Sequence, residues 1–229
     1  MDIVKTRSTP AKGFAPRLLD EKIQRVLAED KYTQPDGSPI LYVDQLPETV
    51  SMYYYHTGII DVSYFAGVKV LSLLEYTGIV DVSPLGGLRE LYLDCRTITD
   101  VSALGRVRIL ILRNCIDLTD VSALGGVKSL CLGGCTSVRD VSMLGGVKKL
   151  SLVSCPLIND VSALGGVKKL FLNECPGITD VSALGSVKKL SLHHCTGITD
   201  VSMLRGVKTL FLSRCPNITD YSAVPQARR

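Results

Sequence analysis

The stretch Asp160-Val-Ser-Ala-Leu-Gly-Gly-Val-Lys-Lys-Leu-Phe-Leu-Asn-Glu-Cys-Pro-Gly-Ile-Thr179 decides the fold, because the chain repeats it. Aligned on aspartate, copies begin at Asp61, Asp81, Asp100, Asp120, Asp140, Asp160, Asp180, Asp200 and Asp220, at steps of 20 residues except one of 19 between Asp81 and Asp100. These nine starts enclose eight units. Self-similarity at such a period is the mark of a solenoid, in which each unit packs on its neighbours rather than on itself.

Within a unit, Val147, Leu150 and Leu152 end on a period of two, which a half-buried strand requires. The preceding Thr-Asp-Val-Ser-Ala-Leu segment offers an oxygen side chain to begin a helical or 3₁₀ turn, and Gly-Gly to end it. One short strand and one turn per unit, always in the same direction, predict a parallel sheet with right-handed crossovers and a coil roughly 40 Å long. A unit alone buries too little apolar surface to offset the ordering of its own backbone. Val161, Leu164, Val167, Leu170, Leu172 and Ile178 must therefore stack on their counterparts in adjacent coils.

These residues resemble the leucine-rich-repeat family, whose L-x-x-L-x-L-x-x-N/C-x-x-L/I pattern matches Val147 to Ile158 and its copies over roughly residues 46–220. The cysteine and the following Ile-Thr-Asp are similar to repeats of F-box leucine-rich-repeat proteins. The Asp-Val-Ser-x-Leu segment is similar to internalin repeats, although both kinds of repeat are longer than these units. The resemblance implies an α/β solenoid with its parallel sheet on the concave side and short helical or 3₁₀ turns on the convex side. It also implies an inward-pointing ladder residue at Cys115, Cys135, Cys155, Cys175, Cys195 and Cys215. Either Cys95 or Arg96 fills that place in the 19-residue unit.

The expected organisation is an N-terminal tail, capping helix and turn over residues 1–45, followed by the solenoid over 46–229, with full units from 61 to 219. Pro16 to Asp30 places Leu19, Ile23, Val26 and Leu27 on one helical face. Pro35-Asp36-Gly37 predicts a turn joining Tyr32 to Ile40–Val43 in a short hairpin or strand pair. Val50 and Met52 read as a degenerate first strand. The partial unit after Asp220 leaves little to cover the last coil.

Of 229 residues, 46% are apolar, tryptophan is absent and aromatics are 6%, so the core must be aliphatic. A net charge of +4 is too balanced to specify a polyanionic or membrane partner. No uncharged apolar run approaches the ~18 residues of a membrane span, and the start lacks the apolar centre of a signal peptide. We therefore expect a cytoplasmic protein with no membrane association. The eight cysteines recur by position rather than as pairs, which reads as reduced thiols.

Three columns of polar residues run along the repeat. A metal needs ligands converging on a point, whereas cysteines one coil apart form a line. Cys131 falls between two core leucines and should face away from the ladder. Aspartate two residues before serine is most simply a turn-starting acceptor, and one carboxylate per coil is too few for calcium. Lys69, Arg89, Arg108, Lys128, Lys148, Lys168, Lys188 and Lys208 form a basic column, widened by Lys149, Lys169 and Lys189; it is either a solvated edge or a polyanion strip.

The variable positions carry more information than the packing positions. Between the core leucines lie Tyr92, Ile111, Phe171 and Phe211, which the strand alternation projects onto the concave face. Beside them fall Arg113 and Asn114, Asn173 and Glu174, His193 and His194, and Arg214. Aromatic anchors ringed by polar groups are characteristic of protein interfaces. His56, His193 and His194 are the only histidines, and no P-loop, G-x-S-x-G or H-E-x-x-H sequence occurs. The sequence thus predicts a non-enzymatic interaction module that needs no cofactor and binds a protein on its concave face. RNA or another polyanion on the lysine column is the first alternative. A ubiquitin-ligase adaptor, suggested by the F-box-like Leu46-Pro47-Glu48-Thr49-Val50, is the second.

Overall fold

A computed structural model of the protein describes residues 17–19, 21–29, 33–40, 42–53, 61–74 and 78–228. Its described strands are β1 (Thr49–Tyr53), β2 (Val70–Leu74), β3 (Glu90–Asp94), β4 (Ile109–Arg113), β5 (Ser129–Gly133), β6 (Lys149–Val153), β7 (Lys169–Asn173), β8 (Lys189–His193) and β9 (Thr209–Ser213). All are parallel and lie in one sheet in chain order. The register stays in phase, with Leu150, Leu170, Leu190 and Leu210 side by side and Leu152, Leu172, Leu192 and Leu212 likewise.

The alternation read from the sequence is the alternation of burial. In β7, Leu170 and Leu172 are fully buried while Phe171 and Asn173 are half-buried and Lys169 is exposed. Val161, Leu164, Val167 and Ile178 complete the coil's interior. One core runs from Leu19 to Val224, aliphatic except for the buried ring of Phe65 and the ladder cysteines, and it is why no unit needs an independent interior.

The convex turns from Ser102–Arg106 through Ser202–Gly206 are 3₁₀ helices. Each begins where the aspartate Oδ1 accepts the N–H of the serine two residues on, at 2.8 Å for Asp160 and Ser162. The first glycine of each Gly-Gly is demanded by stacking. A Cβ at Gly165 would lie 2.5 Å from the carbonyl oxygen of Ala183 in the next turn, and one at Gly185 the same distance from that of Met203. Arg205 occupies this position in the last complete unit, where no further turn of this kind stacks against it among the described residues.

After each of β4 to β9 the chain bends through a left-handed residue. Asn114, Ser154, Glu174, His194 and Arg214 have φ between 54° and 57°, and Gly134 has 68°. The N–H of this residue donates across to the next strand, as from Glu174 to the oxygen of His193 at 2.8 Å. In the 19-residue unit this residue is the one deleted. Cys95 follows Asp94 directly and its own N–H donates to Arg113 at 3.2 Å, which places Cys95 in the buried ladder and leaves Arg96 exposed.

The chain's two ends require adjustment of the sequence expectations. Helix α1 spans Glu21–Glu29 and buries Ile23 and Leu27, with Leu19 just before it. Pro16, Asp30 and Tyr32 lie outside the described residues, as does the side chain of Val26. Among the described residues, the expected hairpin shows one antiparallel bridge, Thr33 with Pro39, while Tyr42 bridges back to Leu18. Gly37 supplies the turn with φ 83°.

The last coil is not left bare, because residues 221–228 fold back over it. Val224 is fully buried, the Gln226 side chain reaches the carbonyls of Leu204, Arg205 and Val207, and Arg228 pairs with Phe211 in parallel. The half-unit closes the coil because Tyr221, Val224 and Ala227, which pack on or in the core, keep the repeat's spacing from aspartate.

Candidate concave binding face

Strand positions one, three and five bring every variable residue singled out in the sequence onto one face or its rim. Lys149, Lys169 and Lys189 are register partners at the first position of β6, β7 and β8. Tyr92 and Ile111 are paired at the third position of β3 and β4, and Phe171 and Phe211 flank Ser191 at the third position of β7 to β9. Arg113, Asn173 and His193 hold the fifth position. Asn114, Glu174, His194 and Arg214 follow as left-handed residues, forming a rim column where the chain leaves the sheet. Cys131 also faces this side, half-buried, opposite in direction to the ladder cysteines.

The face divides into two chemically different parts. Around β3 the polar groups hold one another: Tyr92 donates to Glu90 at 3.0 Å, Arg89 donates to Glu90 at 2.9 Å, and the Asn114 amide donates to both oxygens of Asp94 at 2.9 and 3.1 Å. Burial, followed by this bond to Glu90, raises the Tyr92 phenol above its ordinary pKa. Around β7 to β9 the arrangement is aromatic and cationic. Lys189 Nζ sits 5.6 Å from the centre of the Phe171 ring and 5.4 Å from that of Phe211, and the Arg228 guanidinium carbon lies 5.7 Å from Phe211.

Arg228, Glu90 and Asp94 did not enter the sequence-based site. Glu90 and Asp94 are legible as outward strand positions flanking Tyr92. Arg228 reaches the face only because the terminal half-unit returns to pair with β9, and the sequence carries no clear signal for that shortened return.

The rim column lines a groove of about 560 Å³ between Thr136, Ser154, Pro156, Glu174, Pro176, His194 and Thr196. The Ser154 hydroxyl donates to Glu174 at 2.7 Å, and the ring of His194, which lines the groove, is 6.3 Å from that of His193. Among the described residues, no group of three or more potential ligands is placed to hold a metal ion.

The cysteine ladder lies inside the coil. Cys155, Cys175, Cys195 and Cys215 donate to carbonyl oxygens of the preceding strand at 3.4, 3.6, 2.9 and 3.3 Å. Burial pushes Cys155 and Cys195 up to about 12 and raises Cys175 and Cys215, so these thiols stay protonated near neutral pH. A protonated thiol is a poor metal ligand and a poor nucleophile.

The basic column is in register and exposed from Lys69 to Lys208. Among the described residues, Lys69 pairs with Glu48 at 2.6 Å and Arg89 with Glu90; no ion pair engages Lys128, Lys148, Lys168, Lys188 or Lys208.

A parallel sheet in chain order, one 3₁₀ turn per unit and an aliphatic core with a ladder residue together make this a leucine-rich-repeat solenoid. The chain is similar to two solved internalins of Listeria monocytogenes. With the internalin inlF it shares 22% identity over 87% of this chain and 65% of that one, at a TM-score of 0.66. With internalin C2 (inlC2) it shares 23% identity over 89% of this chain and 99% of that one, at a TM-score of 0.64. This chain therefore spans less than two thirds of the first internalin. At these identities what is shared is the fold. No family model and no curated protein matches the sequence. No helix among the described residues is long and apolar enough to cross a membrane.

Proposed function

We propose that this chain is a non-catalytic binding module that takes a protein partner on its concave sheet. The observation that carries the reading is the placement of Phe171 and Phe211. Both stand on the sheet face opposite the buried core, outside the cluster that fills it, half-buried and with the cations of Lys189 and Arg228 within about 6 Å of their ring centres. Large rings with partly exposed faces beside polar groups are the anchors that protein interfaces use. Tyr92, Ile111, Arg113, Asn114, Asn173, Glu174, His193, His194 and Arg214 would form the remainder of the contact surface.

The test is affinity capture from cell lysate with the wild type and a Tyr92→Ala, Phe171→Ala, Phe211→Ala variant, at low and high salt. A protein retained at high salt and lost with the variant supports the reading. Captured nucleic acid that is released by salt and indifferent to the aromatics would overturn it. That second outcome belongs to the polyanion reading, which Lys128, Lys148, Lys168, Lys188 and Lys208 favour, since no ion pair engages them among the described residues. The adaptor reading gains no support, because Thr49 and Val50 of its F-box-like segment are already in β1, paired with β2.

A further inference from the structure

We infer that the partner's contacting segment is acidic, and that it seats over β6 to β9 with its carboxylates on Lys149, Lys169, Lys189 and Arg228 and an apolar side chain against Phe171 and Phe211. The inference rests on the concave-face reading above and specifies the chemistry of what that face takes. Lys149, Lys169 and Lys189 are direct register partners, so like charges stand one strand spacing apart, ~5 Å. Like charges opposite one another in a sheet are destabilising.

The fold does not require them. The same strand position is filled by Val70, Glu90, Ile109, Ser129 and Thr209 elsewhere in the sheet. No ion pair relieves them among the described residues. Lys189 is held between two aromatic rings, where cation–π attraction fixes its ammonium without neutralising it. Ser191, small and in register between Phe171 and Phe211, donates its hydroxyl to Asn173 at 3.3 Å.

The charge along the chain has the same polarity. Residues 61–120 carry six Lys and Arg against eight Asp and Glu, whereas 121–229 carry thirteen against six. On the face itself, Glu90 and Asp94 stand at β3 and the lysines at β6 to β8. A long polyanion running the length of the sheet would be repelled at β3. A protein segment with a local cluster of acids is favoured over a nucleic acid for that reason.

The experiment measures fluorescence anisotropy of a labelled peptide rich in Glu and Asp with one Phe, using the full chain. The same peptide with its acids replaced by Gln and Asn is one control, and single-stranded oligo-dT is the other. We expect the acidic peptide to bind at least about tenfold more tightly than either control. Lys149→Glu, Lys169→Glu, Lys189→Glu together should abolish binding, Phe171→Ala with Phe211→Ala should weaken it, and Lys128→Glu on the outer column should change it little.

Equal binding of the amidated peptide, tighter binding of oligo-dT, or indifference to the triple reversal would overturn the inference. Thermal unfolding of each variant confirms that the coil is intact, and Lys149→Gln, Lys169→Gln, Lys189→Gln is the milder substitute if the reversal does not fold. A lysate partner that needs the aromatics but not these lysines would refute the acidic segment while leaving the concave-face reading standing.

Discussion

The thiol of Cys195 donates to the carbonyl oxygen of Leu172, one coil earlier, at 2.9 Å. The thiol thus joins consecutive coils through an interior that is otherwise aliphatic. Serine retains a donor there at the expense of a smaller side chain, so Cys195→Ser should lower stability by about 1 kcal/mol. Cys195→Ala removes both donor and volume and should lower it further, as read by urea unfolding. A loss of folding on Cys195→Ser would mean that the ladder holds a bond other than this one.

Thiol chemistry should separate Cys131 from the rest. Its side chain is half-buried on the concave face, whereas the other seven cysteines are buried. Native protein should react with a thiol reagent at Cys131 first, the remainder following only on unfolding; peptide mapping of the alkylated protein reads the order.

Stability should have an acid and an alkaline limb. In the seven aspartates from Asp100 to Asp220 the serine N–H holds the carboxyl below its ordinary 3.8. A depressed carboxyl contributes stability that is present above the unfolded value and lost as pH falls through the folded one. Burial raises Cys155 and Cys195 from 9.0 to about 12, so their contribution is present below the unfolded value and lost as pH rises toward the folded one. Urea midpoints measured across pH should therefore form a plateau that falls below about pH 4 and above about pH 9. A midpoint that does not decline on the alkaline side would contradict the burial of the ladder.

Stacking of the convex turns should be sensitive to a single methyl group. Gly165→Ala places a Cβ against the backbone of Ala183 and should cost about 1–3 kcal/mol or more. Arg205→Gly, at the same place in the last complete unit, should be within about 1 kcal/mol of the wild type. Thermal unfolding of the pair distinguishes a contact between turns from a preference intrinsic to the turn.

Much of this coil is legible in its sequence, and for a physical reason. A 20-residue period repeats the packing problem at each turn, so Leu170, Leu172 and Ile178 have one solution throughout. The left-handed column stayed hidden because Asn114, Ser154, Glu174, His194 and Arg214 have different side chains, and only Gly134 carries the residue that such a φ favours. The bridge across to the next strand compensates for the strain, which no single unit displays. The position of Cys95 was ambiguous because one deletion fits two alignments, and only the backbone bond to Arg113 separates them. The outward residues were readable from strand alternation. Their division into a self-bonded acidic part and an unpaired cationic part was not, because it depends on Asn114 reaching Asp94 and on Arg228 returning to Phe211.

Under the proposed function, Phe171 and Phe211 serve a partner rather than the core. The most direct measurement takes one protein, Phe171→Ala with Phe211→Ala, and reads its urea unfolding beside its capture of the wild-type partner, with Leu172→Ala as the core reference. We predict that the aromatic variant unfolds within about 1 kcal/mol of the wild type while capture is lost, and that Leu172→Ala is destabilised by about 2–5 kcal/mol. An aromatic variant as unstable as Leu172→Ala, or one that still captures the partner, would overturn the proposed function.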